Sequence, residues 1–132
     1  MSGNFDAVGG YDLAVYDTAS GKWYIKPVSG NPFVCDLQWG FSGCVPVSGD
    51  FGNTSHHDLC VYHSSGYWYI LSLTGHVLAN GVPWGFSGCV PVSGDYDGDN
   101  KDDMNLFYPP TGYWYVRKLN GTVLLNQHHI GP

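Results

Sequence analysis

Trp39-Gly40-Phe41-Ser42-Gly43-Cys44-Val45-Pro46-Val47-Ser48-Gly49-Asp50 returns as Trp84-Gly85-Phe86-Ser87-Gly88-Cys89-Val90-Pro91-Val92-Ser93-Gly94-Asp95, 45 residues downstream. A chain that repeats itself at this distance is built from copies of one supersecondary unit. Two further landmarks occur three times each. The strand-like runs Asp12-Leu13-Ala14-Val15-Tyr16, Asp58-Leu59-Cys60-Val61-Tyr62 and Asp103-Met104-Asn105-Leu106-Phe107 are the first. Trp23-Tyr24-Ile25, Trp68-Tyr69-Ile70 and Trp114-Tyr115-Val116, each after a glycine-containing turn, are the second. Strand-type content at this period points to propellers or arrays rather than helical solenoids.

Four strands fit into each unit. In the last one, Cys89 to Val92 reads as a first strand whose Pro91 limits ladder bonding, and Asp103 to Tyr108 as the second. Pro109-Pro110-Thr111-Gly112 turns the chain into a third strand, Tyr113 to Lys118. Asn120-Gly121 is a strong hairpin signal before the fourth, Thr122 to Asn126. Four consecutive antiparallel strands make one propeller blade. The expected fold class is therefore all-β: a single partial β-propeller over residues 1–132, with repeats at about 2–47, 48–92 and 93–132. Ser2-Gly3-Asn4 matches Ser48-Gly49-Asp50, so the first blade is expected to be incomplete and to lack its first strand. Ile130-Gly131-Pro132 stands where the other units have tryptophan, glycine and phenylalanine, and so supplies no replacement. Three blades do not close a ring, and bare terminal faces would be apolar surface of a kind monomers rarely expose. Two outcomes follow: loss of neighbouring blades from a longer parent, or self-association head to tail. A homodimer would give six blades and a homotrimer nine, against the usual four to eight.

Composition bounds the remainder. Only 12% of the 132 residues are charged while 16% are aromatic, and 19 glycines and 8 prolines favour short strands and tight turns over helices. The net charge of −6 offers no electrostatic footprint for nucleic acid or an anionic membrane surface. No run approaches the roughly twenty apolar residues of a membrane span, and Met1-Ser2-Gly3-Asn4 does not read as a signal peptide.

Charge is concentrated in one place. In Ser93-Gly94-Asp95-Tyr96-Asp97-Gly98-Asp99-Asn100-Lys101-Asp102-Asp103, five carboxylates crowd into eleven residues. Asp95, Asp97, Asp99 and Asp103 fall at positions one, three, five and nine of a curling loop, with the Lys101 carbonyl at position seven. Calcium takes six to eight oxygens in such a flexible cage. Two carboxylates about 5 Å apart repel by roughly 0.8 kcal/mol even in water, so a folded loop holding several of them calls for a cation. The bland alternative is a solvated acidic turn, since Asp, Asn and Gly are ordinary turn formers.

The run Pro91-Val92-Ser93-Gly94-Asp95-Tyr96-Asp97-Gly98-Asp99, followed by Asp103 and an apolar strand, resembles the FG-GAP or VCBS-type repeat of bacterial extracellular proteins and, in related form, of integrin α-subunit propellers. The likeness covers practically the whole chain in three copies. It implies an extracellular or cell-surface location, and calcium held between the first and second strands of a blade by Asp95, Asp97, Asp99, the Lys101 carbonyl and Asp103. The other copies depart from the pattern. Asn4 to Asp12 keeps three possible ligands, and Asp50 to Asp58 keeps its end aspartates with weak oxygens between, so one good site is expected.

Trp23, Trp68 and Trp114 read most simply as blade-to-blade packing. Trp39 and Trp84 precede a Gly-Phe-Ser-Gly turn, where an exposed indole stacks on a sugar ring or packs at a blade interface. Cys44 and Cys89 hold equivalent places in successive units, too far apart for a bridge in a propeller, and the spacing of Cys35 and Cys60 selects no pairing. His56-His57 and His128-His129 are adjacent pairs that point to opposite faces of an extended chain. With the carboxylates gathered in one loop and no nucleophile-base arrangement in view, catalysis is not expected. Two functional classes remain: a ring-forming scaffold, and a lectin-like module that binds carbohydrate or protein.

Overall fold

A computed structural model describes residues 2–6 and 10–129. Twelve strands run through them: β1 (Ser2–Gly3), β2 (Asp12–Asp17), β3 (Lys22–Lys26), β4 (Val34–Gln38), β5 (Cys44–Val47), β6 (Leu59–His63), β7 (Tyr67–Leu71), β8 (Val77–Pro83), β9 (Val90–Pro91), β10 (Met104–Tyr108), β11 (Tyr113–Arg117) and β12 (Val123–His129). Each successive group of four forms one antiparallel sheet in chain order, and no helix occurs among the described residues. The second sheet takes Cys44–Val47 as its first strand, so the sheets divide at the Trp-Gly-Phe links rather than at Ser48 and Ser93.

The expectation that the first unit lacks its first strand is corrected. Ser2 and Gly3 pair with Leu13 and Asp12 as a two-residue β1, against four residues in β5. The reason lies in the repeat's own backbone. Gly3 holds the register of Gly49 and Gly94, whose carbonyls accept from Asp58 N (2.8 Å) and Asp103 N (2.7 Å). The residues at 130–132, also singled out in the sequence, lie outside the described set.

Side-chain alternation decides how the sheets combine. In β2, Asp12, Ala14 and Tyr16 are buried while Leu13 and Val15 are 52% and 61% exposed. In β6, Leu59, Cys60, Val61 and Tyr62 are all buried, so the middle sheet is covered on both faces. One core joins Phe5, Ala14, Tyr16, Trp23 and Ile25 of the first sheet to Cys44, Leu59 and Val61 of the second. Its counterpart joins Phe51, Cys60, Tyr62, Trp68 and Ile70 of the second sheet to Met104 and Leu106 of the third. The two cores match residue for residue along the repeat.

Each link between sheets is anchored by the same device. Trp23 Nε1 donates to Trp39 O, and Trp68 Nε1 to Trp84 O, both at 2.8 Å. Gly66, at φ 101°, lies so close to the second link that an added Cβ would collide with Gly85 O, which is why only glycine serves there. The pairing of third and fourth strands is irregular just after each of Trp23, Trp68 and Trp114. Opposite that point Asp36, Gly81 and Gln127 adopt positive φ (63°, 71° and 60°), the left-handed residue of a bulge. For Asp36 and Gln127 this conformation costs about 1 kcal/mol relative to glycine.

Trp23 and Trp68 are fully buried whereas Trp114, on the uncovered side of the third sheet, is half-buried. Trp68→Ala is expected to lower stability by about 3–5 kcal/mol. Trp114→Ala, with less to lose, is expected to cost at most about half as much. Urea midpoints of the two variants check the difference, and equal losses would contradict the placement.

Candidate metal site

The loop between β9 and β10 is closed by its own carboxylates. Asp95 Oδ1 accepts from Gly98 N at 2.8 Å and Asp99 N at 3.2 Å, and Asp95 Oδ2 accepts from Asn100 N at 2.8 Å. Asp97 Oδ1 accepts from Asp99 N (3.3 Å) and Asp99 Oδ1 from Lys101 N (3.0 Å). Gly98 and Asn100 take positive φ (80° and 68°), which curls the chain inward. As a result, one carboxylate oxygen from each of Asp95, Asp97 and Asp99 lies within 4.8 Å of the other two, and all three residues are exposed.

Asp103 has a different place from the other expected ligands. It immediately precedes β10, is 1% exposed, and its Oδ2 accepts from Tyr96 N at 2.8 Å. Its Oδ1 is buried without a hydrogen-bond partner. Burial pushes its carboxyl above the usual range, and Asp97, Asp99 and Asp95 push the same way. A cavity of about 190 Å³ beside the loop is lined by Asp99, Lys101, Asp103 and Lys118. Lys101 therefore shares the site's rim, while the three-carboxylate group is Asp95, Asp97 and Asp99.

Lys118 is the residue of this site that sequence reading missed. It follows β11, and its Nζ sits 2.9 Å from Asp97 Oδ2 and 2.8 Å from Asp99 Oδ2. The hydrogen bond from Lys118 is the main cause holding the Asp99 carboxyl below its usual range, and the two aspartates raise the Lys118 ammonium in turn. The equivalent positions in the first two repeats are Pro27 and Ser72. The lysine and the acidic loop thus occur in the same repeat, a signal visible only when the three copies are laid side by side.

The equivalent loop of the second sheet closes with fewer charges. Asp50 Oδ1 and Oδ2 accept from Thr54 N and Ser55 N, each at 3.0 Å. Asp58 Oδ2 accepts from Phe51 N (2.7 Å) and Gly52 N (3.2 Å), as Asp12 Oδ2 accepts from Phe5 N at 2.8 Å in the first sheet. The aspartate at the start of the second strand is thus a structural cap in all three repeats. Part of the first loop, residues 7–9, lies outside the described residues.

The two expected sugar-stacking tryptophans are half-buried and pack on the inter-sheet cores. Trp39 Nε1 donates to Tyr69 O at 3.3 Å, and the Trp84 ring meets Tyr115 edge-on with centroids 6.4 Å apart. All four cysteines are free thiols, Cys44 and Cys60 buried and Cys35 exposed. No family model, curated protein or solved structure matches this chain.

Asp58 gives the site region a pH signature. Burial lifts its folded-state pKa to about 6 from an ordinary 3.8. A raised carboxyl favours the fold fully below pH 4 and loses that advantage as pH rises through 6, by about 3 kcal/mol at most. Asp58→Asn keeps an oxygen acceptor for Phe51 N and is expected to flatten the stability profile between pH 4 and pH 7. Denaturation midpoints across that window check it, and an unchanged slope would contradict the assignment.

Proposed function

We propose that the chain is a non-catalytic β-propeller module of the FG-GAP/VCBS type, a scaffold that completes a ring by associating with itself, with calcium clamping the Asp95 to Asp103 loop. The observation that carries the reading is the contrast between sheets. The middle sheet is covered on both faces, while Leu13 and Val15 leave one face of the first sheet open to solvent. Burying each of those aliphatic side chains is worth roughly 1 kcal/mol for the half still exposed. A homodimer of six blades is the first choice and a homotrimer of nine the second. The family likeness also supports an extracellular or cell-surface setting. The clustering of carboxylates in one loop, where a cation accounts for them, supports a structural rather than a catalytic role.

Calcium would be held by Asp95, Asp97 and Asp99, with the Lys101 carbonyl and Asp103 completing the cage. Lys118 then competes with the ion for Asp97 and Asp99. At a hundredfold excess over its dissociation constant, calcium is expected to stabilise the protein by about 2.7 kcal/mol. Asp97→Ala or Asp99→Ala should abolish that response, and Lys118→Met should bind the ion more tightly than the parent chain. Thermal melts and calorimetric titration read both effects. A parent chain whose melting temperature ignores calcium would reduce the loop to a turn.

A second reading is supported by a cavity of about 190 Å³ lined by Trp84, Gly85, Phe86, Tyr115 and Asn126, the aromatic-plus-amide chemistry of a carbohydrate site. Light scattering coupled to size exclusion decides for or against the ring: masses of two or three chains support it and a 14.4 kDa monomer at every concentration sinks it. Glycan binding lost in Phe86→Ala, a residue 40% exposed, would favour the lectin-like reading.

A further inference from the structure

The two inter-sheet cores define what a third, intermolecular one would contain. Counting along the repeat, the side chains that the second and third sheets turn toward their predecessors are Leu59, Val61 and Tyr69, then Met104, Leu106 and Tyr115. The same positions in the first sheet are Leu13, Val15 and Tyr24, all exposed. They border a cavity of about 280 Å³ that Ile25, Pro32 and Val34 also line. At the other end, the positions of Tyr16 with Trp23, and of Tyr62 with Trp68, are held in the third sheet by Phe107 and Trp114. These two rings form the same tilted pair, with centroids 4.8 Å apart against 5.1 and 5.2 Å. Both are half-buried, and no further sheet follows β12 among the described residues.

The backbone repeats a clamp as well. His57 N donates to Asn4 O at 2.6 Å across the first boundary, and Asp102 N to Asp50 O at 2.9 Å across the second. Tyr11 stands at the position of His57 and Asp102, and Asp95 at that of Asn4 and Asp50. Tyr11 is 67% exposed.

Resting on the ring reading, we propose that the occupant of each open face is a second copy of this chain, joined through one defined head-to-tail junction. Leu13, Val15 and Tyr24 of one copy cover Phe107 and Trp114 of the next, and Tyr11 N–H donates to Asp95 O across the boundary. The junction is heterologous: the first-sheet face does not pair with another first-sheet face. It also lays the next copy directly on the first carboxylate of the acidic loop.

Complementation tests this polarity. Val15→Arg damages the first-sheet face and Phe107→Arg the third-sheet face, each with folding checked by circular dichroism. Should Phe107→Arg fail to fold, Tyr96→Arg replaces it, since Tyr96 is exposed at the position of the core residue Phe51. Sedimentation of the parent chain is expected to show an oligomer, and each variant alone the mass of one chain. An equal mixture is expected to show the mass of two chains, because one undamaged junction remains. A variant that associates alone as strongly as the parent means its mutated face is not used, which overturns the junction while leaving self-association intact. A parent chain that is monomeric at every concentration overturns the ring reading and the junction together.

Discussion

A four-stranded sheet with apolar residues on both faces needs two neighbours, and that requirement governs this chain. The second sheet has both, and its four central β6 side chains from Leu59 to Tyr62 are sealed from solvent. The first and third have one neighbour each inside the chain. Burial in β2 therefore alternates, with Ala14 and Tyr16 buried and Leu13 and Val15 exposed, although Leu13 to Tyr16 is as apolar as Leu59 to Tyr62. The stability of each sheet is then a property of its boundaries, as in other repeat proteins where nearest-neighbour contacts dominate. The tryptophan at the start of the third strand ties these boundaries together. Its ring fills the core between sheets while its N–H holds the link that leads to the next one.

Electrostatics follows a separate logic. The fold requires one carboxylate per unit, at the head of the second strand, where Asp12, Asp58 and Asp103 each accept a backbone N–H seven residues earlier. At Asp58 and Asp103 burial makes the acceptor expensive to ionise and raises the carboxyl above its usual range. The third loop adds Asp97 and Asp99 to this frame, and with them Lys118. An ammonium bridging two carboxylates meets the same need for positive charge that a bound cation would. The acidic loop and the lysine are a matched addition to one repeat rather than a property of all three.

Much of this was legible in the residues. The exact recurrence of the Trp39 to Asp50 stretch fixes the period, and the period fixes three sheets with their order. The Asp-x-Asp-x-Asp spacing likewise brings Asp95, Asp97 and Asp99 together as read. Asp103 has a second task that the spacing does not announce, because an aspartate at a regular interval looks like a ligand whether or not it also caps the strand beneath it. Lys118 was hidden by sequence distance, since only the pairing of β10 with β11 returns it to the loop. The bulge left no signal at all. Asp36, Gly81 and Gln127 share a backbone conformation and nothing chemical, because the strand geometry imposes it and the side chains merely tolerate it. That geometry also carries β12 to His129, beyond the fourth strand expected to end at Asn126.

The repeat changes chemistry at single positions on the faces where the proposed junction would form. Lys26 occupies the place of Leu71, and Asn105 the place of Cys60, with its amide donating to Tyr96 Oη at 2.9 Å. Lys26 lines the open first-sheet cavity, whereas Asn105 is fully buried and Arg117 takes the Leu71 position at the internal boundary between the second and third sheets. A face that is permanently covered gains nothing from such polarity, since a buried polar group must find a partner or lose stability. At the proposed junction the apolar contact would therefore fall to Leu13, Val15 and Tyr24, with Lys26 beside them in the same cavity.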